Sequence, residues 1–307
     1  MARKRKGEPI HGWIVLDKPK GLTSAQAVAR VRRALNAAKA GHGGTLDPLA
    51  TGVLPVALGE ATKTVAFEMA APKSYRFTLR WGEARATDDA EGDVIQTSPN
   101  RPAEAEIRAV LSRFTGQILQ VPPKYSAVKV AGQRAYSLAR AEEEFELAPR
   151  QVTIEKLALT ATDGDLATFE AVCGKGTYMR ALARDLGTAL GTLAYIVELR
   201  RLFAGPFTES QAISLDSLEA LGHSAAALAS LLPIETALDG IPALALSDGE
   251  ARILRSGQAV PLLRAQDVDR VGSLVPGIAV CAMANGKPVA VARFDRGRLH
   301  PVRVFNL

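Results

Sequence analysis

The stretch GHGGTLDPLATGVLP, residues 41–55, contains one acidic side chain, Asp47, among glycine, proline, threonine and aliphatic residues. One interpretation is a cap, because Pro48 fixes φ for a first helical position and aspartate is favoured just before it. The other is a carboxylate held in a pocket to react. Gly43 and Gly44 favour the second, since residues without side chains let another molecule approach the backbone closely.

Arg180 is a candidate partner for this carboxylate. It lies near the start of a helix predicted within GKGTYMRALARDLGTAL, residues 174–190. A cation there opposes the positive end of the helix dipole and costs about 0.3–1 kcal/mol unless a carboxylate faces it. The apolar face through Leu182 leaves Tyr178 and Arg180 on its two flanks, where both can line a cleft. Surface exposure of these two side chains is the alternative interpretation.

The length, the net charge and the cysteine and histidine content restrict the class of protein. A chain of 307 residues predicts one large and one small domain. Its 38 Lys and Arg against 32 Asp and Glu give a net charge of +6, which favours an anionic partner without distinguishing nucleic acid, membrane or small phosphate. Cys173 and Cys281 lie far apart and the four histidines lack ligand spacing, which argues against a structural zinc site or a disulfide framework.

The beginning of the sequence, MARKRKGEP, is basic and leads into GWIVLD rather than into the apolar segment of a signal peptide. No apolar run of about 18 residues follows, which is the length that a membrane-spanning helix needs. We therefore expect a cytoplasmic protein that does not insert into a membrane.

Strands and helices interleave without regular βα alternation, which predicts an α+β fold. Period-two or short apolar runs predict strands at 13–17, 74–82, 117–121, 151–161, 167–173 and 194–202. Helical spacing predicts helices after Thr23 or Ser24, at 104–114, within 174–190, and twice between 214 and 231. The pattern changes near residue 240. Beyond it we predict a helix over 244–256 and two strands around the Asn-Gly turn within 279–294.

Several familiar motifs are absent. GKGT, residues 174–177, lacks the spacing of a nucleotide-binding phosphate loop, and neither a Gly-x-Ser-x-Gly elbow nor an HExxH pair is present. The acidic stretch ATDDAEGD, residues 86–93, does not have a glycine and a downstream glutamate at the spacing of a calcium loop. We expect a solvated turn there.

The remaining motifs together resemble the bacterial tRNA pseudouridine synthase B, or TruB, family. The matching stretches occur in the family's order over most of residues 10–205: WIVLDKPKGLTS, AGHGGTLDPLATGVLPVALGEATK, KSYRFTLRWG, VPPKYSAVKVAGQRAYSLAR, CGKGTYMRALARDLG and ELRRL. The resemblance implies a pseudouridine synthase fold over 1–240, with a mixed, largely antiparallel sheet flanked by helices. It also implies an RNA-contacting loop and helix at 121–150 and a small β-rich PUA-like RNA-binding domain at 241–307.

The activity implied by this resemblance is isomerisation of the uridine at position 55, in the T loop of tRNA, to pseudouridine after the base is flipped out. No cofactor, metal or obligatory protein partner is expected, and a monomer is expected. Two alternatives stay open: a non-catalytic RNA-binding or tRNA chaperone protein, and a related synthase that acts on ribosomal RNA.

The resemblance also implies roles for individual residues. Asp47 in GTLDPL corresponds to the catalytic nucleophile, and Arg180 in TYMR is expected to pair with it. Tyr75 in KSYRF is expected to stack on the extruded uracil as part of the catalytic set, and Tyr178 to lie against the same base. Burial of Asp47 would disfavour its ionised form, and an adjacent guanidinium would restore it.

Further residues are expected to bind substrate. His42 in AGHGG, by itself a candidate for a structural hydrogen-bonding role, is expected to contact RNA and hold the loop open. Leu199 in ELRRL is expected to form an apolar wall. The basic residues Lys18, Lys129 and Arg134 complete the predicted substrate-binding set.

One stretch departs from the family pattern. Members often have T-D-T-x-D-x-x-G after the KSYRF strand, whereas RATDDAEG places Arg85 and Ala86 at the first two positions. Thr87, Asp89 and Gly92 still match. We therefore expect the chemistry at Asp47 to carry over, but no detail that depends on the missing aspartate.

Overall fold

The computed structural model describes residues 7–130, 132–141, 143–262, 272 and 274–307, so the basic residues 1–6 lie outside the described part. The strands up to residue 240 are β1 (Gly12–Lys18), β2 (Ala40–His42), β3 (Thr51–Leu58), β4 (Lys73–Trp81), β5 (Glu83–Arg85), β6 (Val94–Thr97), β7 (Gly116–Gln120), β8 (Lys129–Val130), β9 (Gln133–Arg134), β10 (Arg150–Asp163), β11 (Leu166–Cys173), β12 (Ala194–Ala204), β13 (Phe207–Thr208) and β14 (Ile213–Ser214).

Ten of these described strands form one sheet in the order β14-β1-β3-β12-β4-β11-β10-β7, with β2 paired to β3 and β13 to β12. The pairs β1–β14 and β3–β12 are parallel, and the other pairs are antiparallel. The predicted α+β fold with a mixed, largely antiparallel sheet is confirmed. Strands β5 and β6 form a separate two-stranded ribbon around the acidic turn, as do β8 and β9 within the 121–150 segment.

The helices of the same part are α1 (Ser24–Ala34), α2 (Val65–Ala70), α3 (Glu104–Val110), α4 (Ala135–Arg140), α5 (Met179–Ala189), α6 (Leu215–Leu221) and α7 (Ala225–Ala229). Thr23 is the cap of α1: its hydroxyl accepts from the Gln26 backbone N–H, and the Gln26 side chain accepts from the Thr23 N–H. The predicted helix at 104–114 ends at Val110, and Leu111–Phe114 form a 3-10 turn. Buried residues of α1, α3, α5 and α6 pack with the sheet in one core.

The 121–150 segment is an excursion from the end of the sheet. It leaves β7 after Gln120 and returns at Arg150, and these two residues are register partners. Between them lie the β8–β9 ribbon and α4. The predicted loop running into a helix therefore contains a short hairpin as well.

Beyond residue 240, a second sheet is formed by β15 (Ala243–Ala245), β16 (Val260–Pro261), β17 (Ala279–Ala284), β18 (Lys287–Asp295) and β19 (Arg298–Val304), in the order β15-β17-β18-β19-β16. The predicted β-rich C-terminal part and the two strands around its Asn-Gly turn are confirmed. The helix predicted over 244–256 was wrong at its beginning, because Ala243–Ala245 form a strand that pairs with β17. The helix α8 (Asp248–Arg255) begins after its cap Ser247, which forms a capping box with Glu250. The domain boundary at about 240 stays a prediction.

A separate cluster of buried side chains lies between the two sheets and joins them. Trp13, Phe207 and Leu238 pack in it with Val291 and Phe305 of the C-terminal part. Two polar contacts accompany this packing: the ammonium of Lys63 donates to the Val304 carbonyl at 2.7 Å, and the Asn306 backbone N–H donates to Glu60 at 2.8 Å. Within the described residues, no helix is both long and apolar enough to span a bilayer.

Phe305→Ala tests this junction. Phe305 is 1% exposed, so its truncation should lower the free energy of unfolding by about 3–5 kcal/mol. Urea unfolding followed by tryptophan fluorescence reports on it directly, because Trp13 lies in the same cluster. Val302→Ala is the control, since Val302 is 40% exposed and should change the midpoint little. Equal midpoint shifts for the two variants would contradict the junction.

Candidate active site

Arg180 and Asp47 are separated by 133 positions in the chain and form a two-pronged ion pair. The Nε of Arg180 donates to Oδ2 of Asp47 at 2.9 Å, and Nη2 donates to Oδ1 at 3.0 Å. The Arg180 side chain is only 5% exposed, whereas that of Asp47 is 32% exposed. The guanidinium is therefore enclosed by protein while the carboxylate that it holds still faces the outside.

The remaining donors of Arg180 bind two other loops. Nη1 donates to the Thr87 carbonyl at 2.9 Å, and Nη2 also donates to the Tyr125 carbonyl at 3.0 Å. The buried carboxylate of Asp89 lies 3.5 Å from Nε and accepts from the Thr87 hydroxyl and from the Glu91 backbone N–H. One side chain at the beginning of α5 thus connects the Asp47 loop, the 87–89 turn and the 121–150 segment.

The loop that carries Asp47 is fixed on both sides of this residue. Ser24, the first residue of α1, donates through its hydroxyl to the Leu46 carbonyl at 2.9 Å and accepts from the Leu46 N–H at 2.8 Å. After Asp47 comes a single turn, in which the Ala50 N–H donates to the Asp47 carbonyl at 3.1 Å. No helix begins at Pro48, so the carboxylate serves the ion pair and not a helix cap.

Lys18, predicted to bind substrate, is 0% exposed. Its ammonium donates to the carbonyls of Pro19 at 2.9 Å, Leu22 at 2.8 Å and Pro48 at 3.4 Å. Burial lowers the pKa of Lys18 to about 8, although the charge of Asp47 opposes part of this shift. These contacts argue against a direct contact with substrate and give Lys18 a role in holding the backbone beside Asp47.

The two tyrosines predicted to hold the base lie at two different elements of the main sheet domain. Tyr75 lies on β4, half-buried, with Ala171 and Arg201 as its neighbours across the two adjoining strands. Tyr178 immediately precedes α5. Burial raises the pKa of both phenols, and the charge of Asp47 adds to the rise in each. Both hydroxyls are therefore protonated at neutral pH, and both lie within reach of the Asp47 charge.

His42 and Leu199 are two further residues predicted to bind substrate, and both are largely enclosed by protein. His42 ends β2, and its Nδ1 is buried with no hydrogen-bond partner among the described residues. Burial and the nearby charge of Arg201 lower the pKa of His42, which favours the neutral imidazole. Leu199, on β12 opposite Phe77, is 7% exposed and packs in the main core.

Lys129 and Arg134 lie elsewhere. They are register partners in the β8–β9 hairpin, and both are exposed. The guanidinium of Arg134 lies 6.0 Å from the centre of the Tyr136 ring. Their predicted contact with substrate would therefore be made from the surface of the 121–150 segment and not from the site around Asp47.

Arg85 explains how the departure from the family pattern is accommodated. Its guanidinium lies 4.4 Å from the centre of the Tyr195 ring, pairs with Glu83 at 2.9 Å and donates to the Gly92 carbonyl at 3.2 Å. Gly92 itself has no room for a side chain, since a Cβ would lie 2.5 Å from the Thr87 hydroxyl. The 85–92 turn is thus closed by Arg85 and Gly92 without an aspartate at position 86.

A second group of buried charges lies behind the glycine loop. Glu68 is 0% exposed, and neither of its carboxylate oxygens has a hydrogen-bond partner among the described residues. Lys73 lies 3.5 Å away, with its ammonium also donating to the Glu68 and Ala71 carbonyls at the end of α2. Arg201, 1% exposed, donates to the carbonyls of Val53 at 2.6 Å and Gly44 at 3.3 Å. Burial raises the pKa of Glu68, while Lys73 and Arg201 oppose the rise.

Family models match the chain in two adjoining parts. Residues 32–179 match the TruB family pseudouridylate synthase N-terminal domain, and residues 180–239 match the tRNA pseudouridylate synthase B C-terminal domain. The chain belongs to the TruB family. The order of these two matches agrees with the resemblance seen in the sequence motifs.

Relatives confirm the family over the full length. A protein of Rhodospirillum rubrum named tRNA pseudouridine synthase B is 54% identical, with 100% of each chain covered. Proteins of the same name from Caulobacter vibrioides and Bradyrhizobium diazoefficiens are 51% and 54% identical, covering 100% and 99% of this chain and 100% and 88% of theirs.

Two solved structures have a fold similar to that of this chain. One is described as an H/ACA ribonucleoprotein bound to a substrate RNA containing 2'-deoxyuridine; its matching chain is 25% identical with a TM-score of 0.74, and 100% of this chain and 92% of that one are covered. A Cbf5-Nop10-Gar1 complex gives 27% identity and the same TM-score, covering 100% and 90%.

Sequence reasoning missed several residues that build this TruB-family site. Arg201, Glu68 and Lys73 give no local signal, because their patterns are those of ordinary strand and helix residues. Asp89 was noted as part of a motif but not as a neighbour of Arg180. Among the described residues, no group of three or more His, Cys, Asp or Glu side chains is arranged to hold a metal ion.

Gly43→Ala tests the close packing behind the loop. A Cβ at residue 43 would lie 2.1 Å from Oε2 of the fully buried Glu68, so the substitution should destabilise the fold by about 1–3 kcal/mol. In a Glu68→Ala background, which removes the obstacle, the same substitution should cost little.

Urea unfolding of the four proteins of this double-mutant cycle measures the coupling. Gly174→Ala is the matched control, because a Cβ there makes only ordinary contacts with Thr153 at 3.8 Å. An equal cost of Gly43→Ala in both backgrounds would show that Glu68 does not limit the loop.

Proposed function

We propose that this chain isomerises the uridine at position 55, in the T loop of tRNA, to pseudouridine. The observation that carries the proposal is the Asp47 carboxylate, held by both prongs of a buried arginine and still open on one side. Membership of the TruB family and the full-length relatives named tRNA pseudouridine synthase B support the same reaction and substrate.

The reaction breaks the bond between N1 of uracil and C1′ of ribose and forms a bond between C5 and C1′. The proton displaced from C5 is lost, N1 gains one, and no electrons are gained or lost overall. Whether Asp47 attacks C1′ or removes a proton from the sugar, its carboxylate must be ionised. Arg180 favours that form, because a guanidinium stays charged and its planar fork matches a carboxylate.

A detached uracil must be kept in the site while it turns. The target base first leaves its stack, which costs a few kcal/mol, and stacking on an aromatic ring returns about 1–3 kcal/mol. In the proposed site Tyr75 supplies that ring, Tyr178 lies against the base, and Leu199 closes the pocket with apolar surface. We assign RNA contact outside the pocket to His42, Lys129 and Arg134.

The proposal includes the setting of the activity. The enzyme acts in the cytoplasm as a monomer, without an obligatory protein partner, and a β-rich PUA-like domain from about residue 241 binds RNA. Its direct test is mass spectrometry of one unmodified tRNA transcript incubated with the pure protein. Pseudouridine at position 55 is the expected product. Salt-sensitive RNA binding without product would support the RNA-binding alternative. A ribosomal RNA transcript is incubated in the same way, and product in it alone would support a synthase that acts on ribosomal RNA.

Asp47→Asn should abolish pseudouridine formation and leave folding and tRNA affinity largely intact. The amide keeps the shape of the side chain but cannot act as an anionic nucleophile or base. Product is measured by mass spectrometry and affinity by filter binding. Asp163→Asn, in an exposed part of β10, serves as the control. Substantial product from Asp47→Asn would end the assignment of this residue.

Arg180→Lys should lower the rate by about 100-fold or more, since an ammonium cannot satisfy Asp47, Thr87 and Tyr125 in the plane of the fork. Arg76→Lys provides a matched comparison, because Arg76 makes an ion pair with Glu170 at the surface with 53% of its side chain exposed. Single-turnover rates for both variants test the role of the pair, and a near-normal rate for Arg180→Lys would argue against it.

Tyr75→Phe should retain most of the activity that depends on stacking, whereas Tyr75→Leu should lose a further 5- to 150-fold, corresponding to about 1–3 kcal/mol. The measurement is kcat/KM on the same transcript, with circular dichroism to verify that both variants fold. Equal losses in the two variants would contradict the stacking role.

A further inference from the structure

Two arginines one turn apart on α5 face the same side of the helix, as residues at positions i and i+4 do. The first is Arg180. The second, Arg184, donates through Nη1 to Asp88 at 3.2 Å, through Nη2 to the Val121 carbonyl at 2.8 Å, and through Nε to Asp185 at 3.0 Å. Arg184 therefore binds the same two parts of the chain as Arg180, the 87–89 turn and the start of the 121–150 segment, but at different residues.

The start of the 121–150 segment is fastened to α5 at three successive points. The side-chain amide of the buried Gln120 accepts from the Tyr178 N–H at 2.8 Å and donates to the Tyr178 carbonyl at 3.1 Å. The Val121 carbonyl accepts from Arg184, and the Tyr125 carbonyl accepts from Arg180. The backbone between 120 and 125 thus lies along the first turns of the helix.

These contacts connect the segment to the reacting carboxylate. Nη2 of Arg180 donates to both Asp47 and Tyr125, so a shift of the Tyr125 carbonyl changes the set of acceptors around the guanidinium. Asp88, held by Arg184, stands between Thr87 and Asp89, which both contact Arg180. Arg184 thus holds both the 87–89 turn and the start of the 121–150 segment beside Arg180, and it makes no hydrogen bond to Asp47 among the described residues.

We propose that Arg184 is a positioning residue, which seats the 121–150 segment and the 87–89 turn against Arg180 and so couples RNA contact by this segment to the geometry of the Arg180–Asp47 pair. The activity part of this inference rests on the proposed function. The competing view is that Arg184, with 31% of its side chain exposed, forms ordinary surface ion pairs that contribute little.

The first test is the steady-state rate of Arg184→Ala on a tRNA transcript. Seating a catalytic group should affect kcat more than KM, so kcat should decrease at least tenfold with a smaller change in KM. Arg184→Lys can reach Asp88 or Val121 but not both, and should retain an intermediate rate. Arg108→Ala, which removes an exposed pair with Glu104, should match the parent. Unchanged kcat for Arg184→Ala would overturn the proposal.

A double-mutant cycle distinguishes coupling from a general loss of structure. In an Arg180→Lys background the two-pronged pair is already lost. Adding Arg184→Ala there should lower the single-turnover rate by less than a further twofold. Full additivity of the two losses would mean that Arg184 does not act through Arg180.

Hydrogen exchange tests the seating without any activity. The backbone amides of Ala135 and Tyr136 donate to the carbonyls of Val128 and Ser126 inside the segment. Their exchange should be at least tenfold faster in Arg184→Ala than in the parent, and equal rates would contradict the seating. If the parent protein makes no pseudouridine, the proposed function fails, while this measurement still decides the structural part of the inference.

Discussion

The need of the buried Arg180 guanidinium for hydrogen-bond acceptors organises the site. An unpaired charge-bearing donor inside a protein costs several kcal/mol, so acceptors must come to Arg180 from wherever the chain can supply them. They come from Asp47, from the Thr87 carbonyl and from the Tyr125 carbonyl, three segments that are distant in sequence. Because α5 is packed in the main core, the position of Arg180 is set by the fold and the loops adapt to it.

A second set of buried charges supports the same loop from behind. Arg201 binds the carbonyls of Gly44 and Val53, and Lys73 ends α2 by donating to its last carbonyls. Glu68 is the carboxylate that faces Lys73 at salt-bridge distance, and it occupies the space that a side chain at residue 43 would need. Gly43 is itself buried, so the lack of a side chain at this residue serves packing against Glu68 and not, as the sequence had suggested, access from outside.

Local physical signals explain which features the sequence could predict. Alternating strand patterns, the beginning of α1 and the Asn-Gly turn depend on neighbouring residues. The strands and the turn were predicted correctly, and the cap of α1 is Thr23, one of the two residues predicted for it. The pairing of Asp47 with Arg180 was accessible because a cation at a helix N-terminus is favourable only when an anion faces it, and the family resemblance implied the same pair. The surroundings of Lys18 could not be predicted, since only the fold reveals that carbonyls of Pro19, Leu22 and Pro48 surround its ammonium. Leu244 was wrongly placed in a helix, because it is held in a strand by pairing with Ala282, and a contact between residues so far apart leaves no local signal.

The register pairing of Gln120 with Arg150 has a consequence for how this architecture can vary. A segment that leaves and re-enters a sheet at adjacent positions closes on itself, and the entropy of closing such a loop grows only slowly with its length. The residues between these two positions can therefore be lengthened, shortened or replaced without disturbing the strands, provided that the contacts at 120–125 are kept. The architecture thus separates a part that is free to vary from a part that is bound to Arg180 and, through it, to Asp47.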